Sequence, residues 1–195
     1  MFEKLAEKSL NLMGWELDNH WDLNVDQCVM IAAPHTSNWD ALYARLALTA
    51  LGVNVRLTIK DSYMKLPFGP FVRAMGGIGI DRRVKQAGQE RPSMVQLMSD
   101  LFKTHPKLVM LVTPEGTRAK QEQWKTGFYH VAMTAGVPIA LAYMDYAKKK
   151  TGVGKMIYPT GNYEQDMAEI MAFYAEINAK HPEKFSVDQR YANNK

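Results

Sequence analysis

The chain has 195 residues, of which 47% are hydrophobic, so it is large and apolar enough to build a folded core. Its single cysteine, Cys28, excludes a disulfide framework and a thiolate-rich metal site. The sequence contains no apolar run of about 18 residues, so we predict no membrane-spanning helix. The net charge of +4 is unevenly distributed, because residues 55–91 carry eight basic and three acidic side chains, which indicates an anionic partner.

Hydrophobic periodicity predicts alternating strands and helices within three segments of the chain. Residues 1–24 hold an amphipathic helix over 2–14 and a link, residues 25–180 form the main domain, and residues 181–195 are a polar C-terminal tail. The alternation predicts a single α/β domain with a central, largely parallel sheet flanked by helices. Strands are predicted over 27–33, 53–59, 107–112, 137–144 and 153–158, and helices over 38–51, 71–75, 92–104, 127–135 and 164–179.

Polar residues follow three of the predicted strands. His35, Lys60 and the loop 114–118 each come at or just after the end of a strand. Ligands of largely parallel α/β sheets bind beyond the carboxyl ends of the strands, where such loops meet. We therefore expect these groups to converge on one site at that edge of the sheet.

The junction between strand 27–33 and helix 38–51 places His35 five residues before Asp40. Asp40 falls in the first turn of the helix, where the helix dipole favours a carboxylate. Such a carboxylate can accept the proton of one imidazole nitrogen of His35 and leave the other nitrogen free to act as a base. The same residues also fit a capping box, Ser37-x-x-Asp40, in which Asp40 only closes the helix end.

Several other motifs are incomplete. The glycines at 76–79 do not form a dinucleotide-binding loop, because Asp81 and Arg82 follow without a third glycine, and we interpret them as a tight turn. The sequence has no Gly-x-Ser-x-Gly elbow, so a serine hydrolase is not predicted. The histidines lack the spacing of a metal site, so we expect no bound metal. The basic residues are not interleaved with aromatic ones, which argues against nucleic acid as the anionic partner.

Four sequence blocks occur in a fixed order: His35-x-x-x-x-Asp40, Gly77-x-Gly79-Ile80-Asp81-Arg82, Pro114-Glu115-Gly116-Thr117-Arg118 and Val137-Pro138-Ile139. Together, over residues 27–145, they resemble the glycerolipid acyltransferase family, whose best-known members are the lysophosphatidate (1-acyl-glycerol-3-phosphate) acyltransferases. The resemblance implies transfer of a fatty acyl group from a thioester, on coenzyme A or acyl carrier protein, to the hydroxyl of a lysolipid. It implies no cofactor besides this acyl donor.

The resemblance also implies roles for individual residues. His35 would be the general base and Asp40 its orienting partner, and the acceptor's own hydroxyl would be the nucleophile. Arg82 and Arg118 correspond to groups that hold the acceptor's phosphate, since guanidinium groups match phosphate oxygens well. The further candidates for binding the acceptor or holding its loop are Lys60, Glu115, Gly116 and Thr117.

Some features leave alternatives open. Thr113 and Ala119 stand where the family usually has an aromatic residue and a serine, so the acceptor could be another lysolipid or an amino-acid-based lipid. Water in place of the lipid hydroxyl would make the protein a thioester hydrolase, and the basic middle segment would also suit a non-catalytic binding module.

We expect an enzyme of phospholipid biosynthesis that is cytoplasmic and binds the inner face of the cytoplasmic membrane peripherally. The N-terminus lacks the basic-then-apolar pattern of a signal peptide, which favours this location. Helix 2–14 could pack on the domain or lie in the membrane interface, and we favour packing because its charges are balanced rather than basic.

Overall fold

A computed structural model of the protein describes residues 2–22, 24–65, 67, 69–74, 76–80 and 92–192. In this part of the chain, seven strands form one sheet and six α-helices surround it. The strands are β1 Glu16–Asn19, β2 Gln27–Ala32, β3 Val55–Lys60, β4 Gly77–Ile80, β5 Leu108–Val112, β6 Ile139–Asp145 and β7 Lys150–Ile157. The helices are α1 Phe2–Leu12, α2 Trp39–Ala50, α3 Gly69–Ala74, α4 Met94–Thr104, α5 Gly127–Ala135 and α6 Tyr163–Ala175.

The strands follow the order β1-β7-β6-β2-β5-β3-β4, and every neighbouring pair is parallel except β6 and β7. The predicted α/β domain with a largely parallel sheet is therefore confirmed. β2 lies at the centre of the sheet and is buried because both faces of the sheet are covered. Val29 and Ile31 face the core formed with α5 and α6, and Cys28 and Met30 face the core beside α2.

Two short strands at the edges of the sheet differ from the sequence prediction. β1 lies in the segment predicted as a link, and β4 falls on the glycines interpreted as a tight turn. Each has only four residues, too few for a recognisable alternation of polar and apolar side chains. Glycine allows α3 to pack closely on β4, because a Cβ on Gly77 would lie 2.6 Å from Val72 Cγ1.

The N-terminal helix α1 packs on α2. Ala6 and Leu10 are buried in this region, as expected for a helix that packs on the domain. Phe2, Leu5 and Leu12 remain exposed, with exposed fractions of 77%, 61% and 90%. None of the helices in the described part of the chain is both long enough and apolar enough to cross a lipid bilayer.

Residues 181–192, within the predicted C-terminal tail, contact the main domain. The Asp188 carboxylate is fully buried and accepts hydrogen bonds from the Trp124 backbone N–H at 2.9 Å and from the Arg190 guanidinium at 2.6 Å. Tyr191 is buried in the core that contains residues of α5 and α6. The end of the chain therefore helps to hold the Trp124 segment, which follows the loop 114–118.

Candidate active site

The loop between β2 and α2 brings His35 and Asp40 together at the carboxyl edge of the sheet. β2 ends at Ala32, and Asp40 lies in the first turn of α2. His35 Nδ1 is 3.7 Å from Asp40 Oδ2, which is an ion-pair distance and longer than a hydrogen bond. Contacts of this kind often shorten when a substrate binds, so the separation is compatible with an acid–base pair.

Asp40 is almost completely buried, and both of its carboxylate oxygens accept hydrogen bonds. Oδ2 accepts the backbone N–H groups of Thr36 and Ser37 at 2.7 and 2.8 Å, and Oδ1 accepts the hydroxyl of Tyr146 at 2.7 Å. The contact with Ser37 is half of the capping box considered from the sequence. Asp40 therefore closes the start of α2 and faces His35 at the same time, and the two interpretations are compatible.

The protonation of His35 is set by its burial and by two charged neighbours. Partial burial lowers the pKa of the imidazole, the Asp40 carboxylate acts in the opposite direction, and the Arg118 cation lowers the pKa further. The net result is a pKa below the usual value for histidine. The neutral imidazole, which can accept a proton, is therefore the main form at neutral pH.

Glu115 connects the two loops that form the site. It is buried, and its Oε1 accepts the backbone N–H of His35 at 2.7 Å. Burial raises the pKa of the Glu115 carboxyl to about 7, the hydrogen bond from His35 opposes this shift, and the Asp40 charge adds to it. Glu115 therefore holds the backbone of the histidine in place and ties the loop after β5 to the loop after β2.

Those of the other predicted site residues that the structure describes lie at the same edge of the sheet. Gly116 has a φ of +69°, in the left-handed region that favours glycine, and Thr117 and Arg118 after it are exposed. Lys60 is the last residue of β3, so its backbone also reaches the carboxyl edge of the sheet. Arg82 lies outside the described residues.

A cavity of about 630 Å³ opens beside His35, Asp40 and Arg118. Its volume is typical of small-molecule sites in proteins. Among the described residues, the other side chains that line the cavity are apolar, except for those of Arg45 and Thr113. The cavity can therefore hold a hydrocarbon chain next to His35 and Asp40. The larger aliphatic side chains that line it are Leu42, Leu48, Val55, Leu57 and Leu111.

Two residues close to this site were not predicted from the sequence. Tyr146 directly follows β6, so the same reasoning that selected His35, a polar residue just beyond a strand end, could have found it. Lys180 lies after α6, and its Nζ is 5.2 Å from the centre of the Trp39 ring and 5.6 Å from that of Tyr146. No local pattern signals Lys180, because these contacts join distant parts of the chain.

A family comparison gives the class of protein to which this fold and this candidate site belong. The sequence model of the Acyltransferase family matches residues 16–145, more than half of the chain. The protein therefore belongs to the Acyltransferase family and is an acyltransferase. This confirms the resemblance drawn from the four sequence blocks and sets aside a non-catalytic binding module.

A solved structure has a similar fold. It is the 1-acyl-sn-glycerophosphate (LPA) acyltransferase PlsC from Thermotoga maritima, with 15% sequence identity and a TM-score of 0.52. The match covers 88% of this chain and 75% of that chain. At this level of identity the similarity concerns the fold alone. No curated protein matches the chain.

Proposed function

We propose that this enzyme is an O-acyltransferase that moves a fatty acyl group from an acyl thioester to the hydroxyl of a lysophospholipid-type acceptor, such as 1-acyl-glycerol-3-phosphate. The proposal depends above all on the apolar cavity of about 630 Å³ that opens beside His35 and the buried Asp40. Such a cavity suits an acyl chain, and the acid–base pair suits activation of a hydroxyl. The similar fold of PlsC, a 1-acyl-sn-glycerophosphate acyltransferase, supports a glycerolipid as the acceptor.

In the proposed reaction, Nε2 of His35 takes the proton of the acceptor hydroxyl as the hydroxyl oxygen attacks the thioester carbonyl carbon. Asp40, whose Oδ2 faces Nδ1, stabilises the imidazolium that forms. The tetrahedral intermediate then breaks its carbon–sulfur bond, and the imidazolium returns the proton to the departing thiolate. The products are the acylated lipid and the free thiol of coenzyme A or acyl carrier protein, without a covalent enzyme intermediate or a further cofactor.

We assign the acceptor's phosphate to basic residues around the cavity. Arg118 lines the cavity together with His35, and a guanidinium can donate two parallel hydrogen bonds to a phosphate. Glu115 anchors the loop that carries Arg118 by its contact with the His35 backbone. The residues proposed to bind the acceptor or to shape its loop are Lys60, Arg82, Glu115, Gly116, Thr117 and Arg118.

The proposed substrates carry acyl chains, so the enzyme must meet a membrane surface. Phe2, Leu5 and Leu12 have the spacing of one helix face and are all exposed, while Lys4 and Lys8 lie beside them on the same helix. The helix as a whole has as many glutamates as lysines, but the helical period places Glu3 and Glu7 about opposite Leu5 and Leu12. The exposed apolar face is therefore flanked on one side by lysines, which suits an anionic lipid surface. We propose that this face of α1 docks peripherally on the inner face of the cytoplasmic membrane.

Acyl transfer from labelled acyl-coenzyme A and acyl-acyl carrier protein to a panel of lysolipids tests the reaction. The panel contains 1-acyl-glycerol-3-phosphate, other lysophospholipids and an amino-acid-based lipid, and a reaction without acceptor measures hydrolysis. Transfer to a lysophospholipid is the expected result. Equal loss of thioester with and without acceptor would identify a hydrolase, and transfer only to the amino-acid-based lipid would change the acceptor class.

The role of the acid–base pair is tested by substitution. His35→Ala is expected to lower kcat by about 10²- to 10⁴-fold, the contribution of a general base. Asp40→Asn should also lower kcat by orders of magnitude, because the imidazole loses its orienting acceptor. His130→Ala is a matched control, since His130 is exposed on α5. A His35→Ala enzyme with more than about a tenth of wild-type turnover would contradict the general-base role.

A further inference from the structure

The mechanism above leaves Tyr146 without a role, although its side chain touches the acid–base pair. Tyr146 follows β6, and β6 is paired with β2, the strand that leads to His35. Its hydroxyl donates a 2.7 Å hydrogen bond to Oδ1 of Asp40. The Asp40 side chain is only 1% exposed, so water competes poorly for that oxygen.

Tyr146 is held from several directions. Trp15 packs edge-on against its ring at a centroid distance of 5.0 Å, and Tyr43 of α2 does so at 6.1 Å. The ammonium group of Lys180 lies 5.6 Å from the ring centre. The backbone N–H of Tyr146 donates to the carbonyl oxygen of Asn178 at 2.8 Å. Segments from both ends of the chain therefore fix the position of the hydroxyl.

We propose that Tyr146 is a positioning residue of the acid–base pair, which it serves by holding Oδ1 of Asp40 so that Oδ2 remains turned towards Nδ1 of His35. The backbone N–H groups of Thr36 and Ser37 hold Oδ2, and the Tyr146 hydroxyl holds the other end of the same carboxylate. With both oxygens occupied, the carboxylate cannot rotate without losing hydrogen bonds in a buried site. This inference rests on the proposed role of His35 as general base.

The surrounding charges are compatible with this role. Glu115 and Arg118 approach His35 from the loop after β5, and Lys180 approaches Tyr146 from the segment after α6. Burial and the hydrogen bond to Asp40 raise the pKa of the Tyr146 phenol well above its usual value. The hydroxyl therefore keeps its proton and remains a donor throughout the pH range of an enzyme assay.

Tyr146→Phe tests the inference, because it keeps the aromatic ring and removes only the donor. We expect kcat to fall about 10- to 100-fold, as for the loss of a hydrogen bond to a charged group, with the KM of donor and acceptor nearly unchanged. Tyr43→Phe is the matched control. Tyr43 belongs to the same aromatic cluster, and within the described residues its hydroxyl makes no hydrogen bond to Asp40, so kcat should stay close to that of the wild type.

Two further measurements separate positioning from packing. In an Asp40→Asn background, Tyr146→Phe should have little additional effect on kcat, because the tyrosine acts through Asp40. In ¹⁵N NMR spectra of histidine-labelled protein, neutral His35 should carry its proton on Nδ1, and Tyr146→Phe should increase the fraction with the proton on Nε2.

The outcomes distinguish this inference from the proposed function. A wild-type kcat in Tyr146→Phe, or an equal loss of kcat in Tyr43→Phe, would overturn the positioning role. If His35→Ala is inactive in the same assays, the proposed function remains intact. An active His35→Ala enzyme would overturn the proposed general-base role, on which this inference rests, whereas the acceptor panel tests the acyl transfer itself.

Discussion

At the scale of single residues, the site is a set of charges that act on one imidazole. Asp40 favours the protonated form of His35, whereas burial and Arg118 favour the neutral form, which prevails because the pKa is lowered. A general base is most useful when it is neutral before the reaction and stabilised when it becomes charged. The opposing effects of Asp40 and Arg118 meet both requirements of the general-base role proposed for His35.

Arg118 is expected to affect acceptor binding and the pKa of His35 separately. Arg118→Lys keeps the positive charge but loses the paired contact with a phosphate, so the acceptor KM should rise about tenfold while the donor KM stays constant. Arg118→Gln also removes the charge that lowers the pKa of His35, so the acidic limb of kcat/KM should move to higher pH in this variant only. Steady-state kinetics across a series of buffers measures both effects.

Lys120→Gln is the control for these variants, because Lys120 is an exposed cation close by in the sequence that pairs with Glu122. It should change neither KM nor the pH profile. An equal rise in the KM of donor and acceptor for Arg118→Lys would indicate a collapsed loop. An unchanged acceptor KM would place the phosphate elsewhere.

Glu115 is expected to make the stability of the protein depend on pH. Its pKa is about 7 in the folded protein, compared with 4.5 for a free glutamate side chain. Between these values the folded state keeps a proton that the unfolded chain has lost, so the free energy of unfolding falls as the pH rises through this range. The loss is complete above pH 7 and amounts to at most about 3 kcal/mol.

Glu115→Gln isolates this effect, because the amide oxygen can still accept the His35 N–H and the charge is gone. The variant should be more stable than the wild type above about pH 7. Near pH 4.5, the pKa of a free glutamate side chain, the two proteins should be similarly stable. Urea unfolding of both proteins at the two ends of this range measures the difference. A difference that does not change with pH would show that Glu115 is not the titrating group.

At the scale of elements, three neighbouring strands decide where the site forms. β6, β2 and β5 are adjacent and parallel, so the residues that follow them lie at one edge of the sheet. His35 and Glu115 are 80 positions apart in sequence, and Asp40 and Tyr146 are 106 apart, yet both pairs are within hydrogen-bond distance. The start of α2 adds Asp40 to this group.

The exposed face of α1 is expected to bind anionic liposomes. Burial of its apolar side chains contributes roughly 25 cal/mol per Å², and each lysine near the surface adds about 1 kcal/mol. The double variant Leu5→Ser/Leu12→Ser should therefore sediment less with anionic liposomes than the wild type, while its thermal unfolding stays similar because both side chains are exposed. High salt should weaken the binding of the wild type.

Met133→Ser is the control for liposome binding. Met133 is an exposed apolar residue of α5, far from α1 in the sequence, so its replacement should leave sedimentation unchanged. A wild-type protein that fails to sediment at both low and high salt would contradict membrane docking by α1. Equal losses in the control and the double variant would mean that the contact is not specific to this helix.

At the scale of the whole molecule, both ends of the chain support the site. Trp15, just after α1, packs against Tyr146, and Asn178, beyond α6, accepts the hydrogen bond of its backbone N–H. Further along, Asp188 binds the backbone of Trp124, which lies beyond the loop 114–118. His35 and Asp40 are therefore embedded in contacts that segments distant in the sequence supply.

Asp188→Ala is expected to destabilise the protein. The substitution leaves the backbone N–H of Trp124 and the guanidinium of Arg190 without their carboxylate partner, and an unsatisfied buried group costs about 1–3 kcal/mol. Urea unfolding measures this loss. Glu183→Ala, an exposed acidic residue of the same segment, should have almost no effect. Wild-type stability in Asp188→Ala would show that the hydrogen bonds of this carboxylate do not stabilise the fold.

Much of this protein follows from short stretches of sequence. The β2, α2, β5 and α5 elements agree with the predictions, because hydrophobic periodicity and end signals such as Gly136 act over a few residues. The family could be recognised for the same reason, since each of its four blocks is local. The proximity of His35 and Asp40 also has a local origin, because one strand–loop–helix junction holds both, while their catalytic role remains a prediction.

Other features depended on the tertiary structure alone. β1 and β4 form because β7 and β3 offer them free edges, and four residues do not show a period by themselves. The bond from Tyr146 to Asp40 and the contact of Glu115 with His35 exist because β6, β2 and β5 are neighbours in the sheet. Strand order results from the packing of the whole chain. The burial that raises the pKa of Glu115 is likewise a property of the assembled core, so no local sequence pattern predicts it.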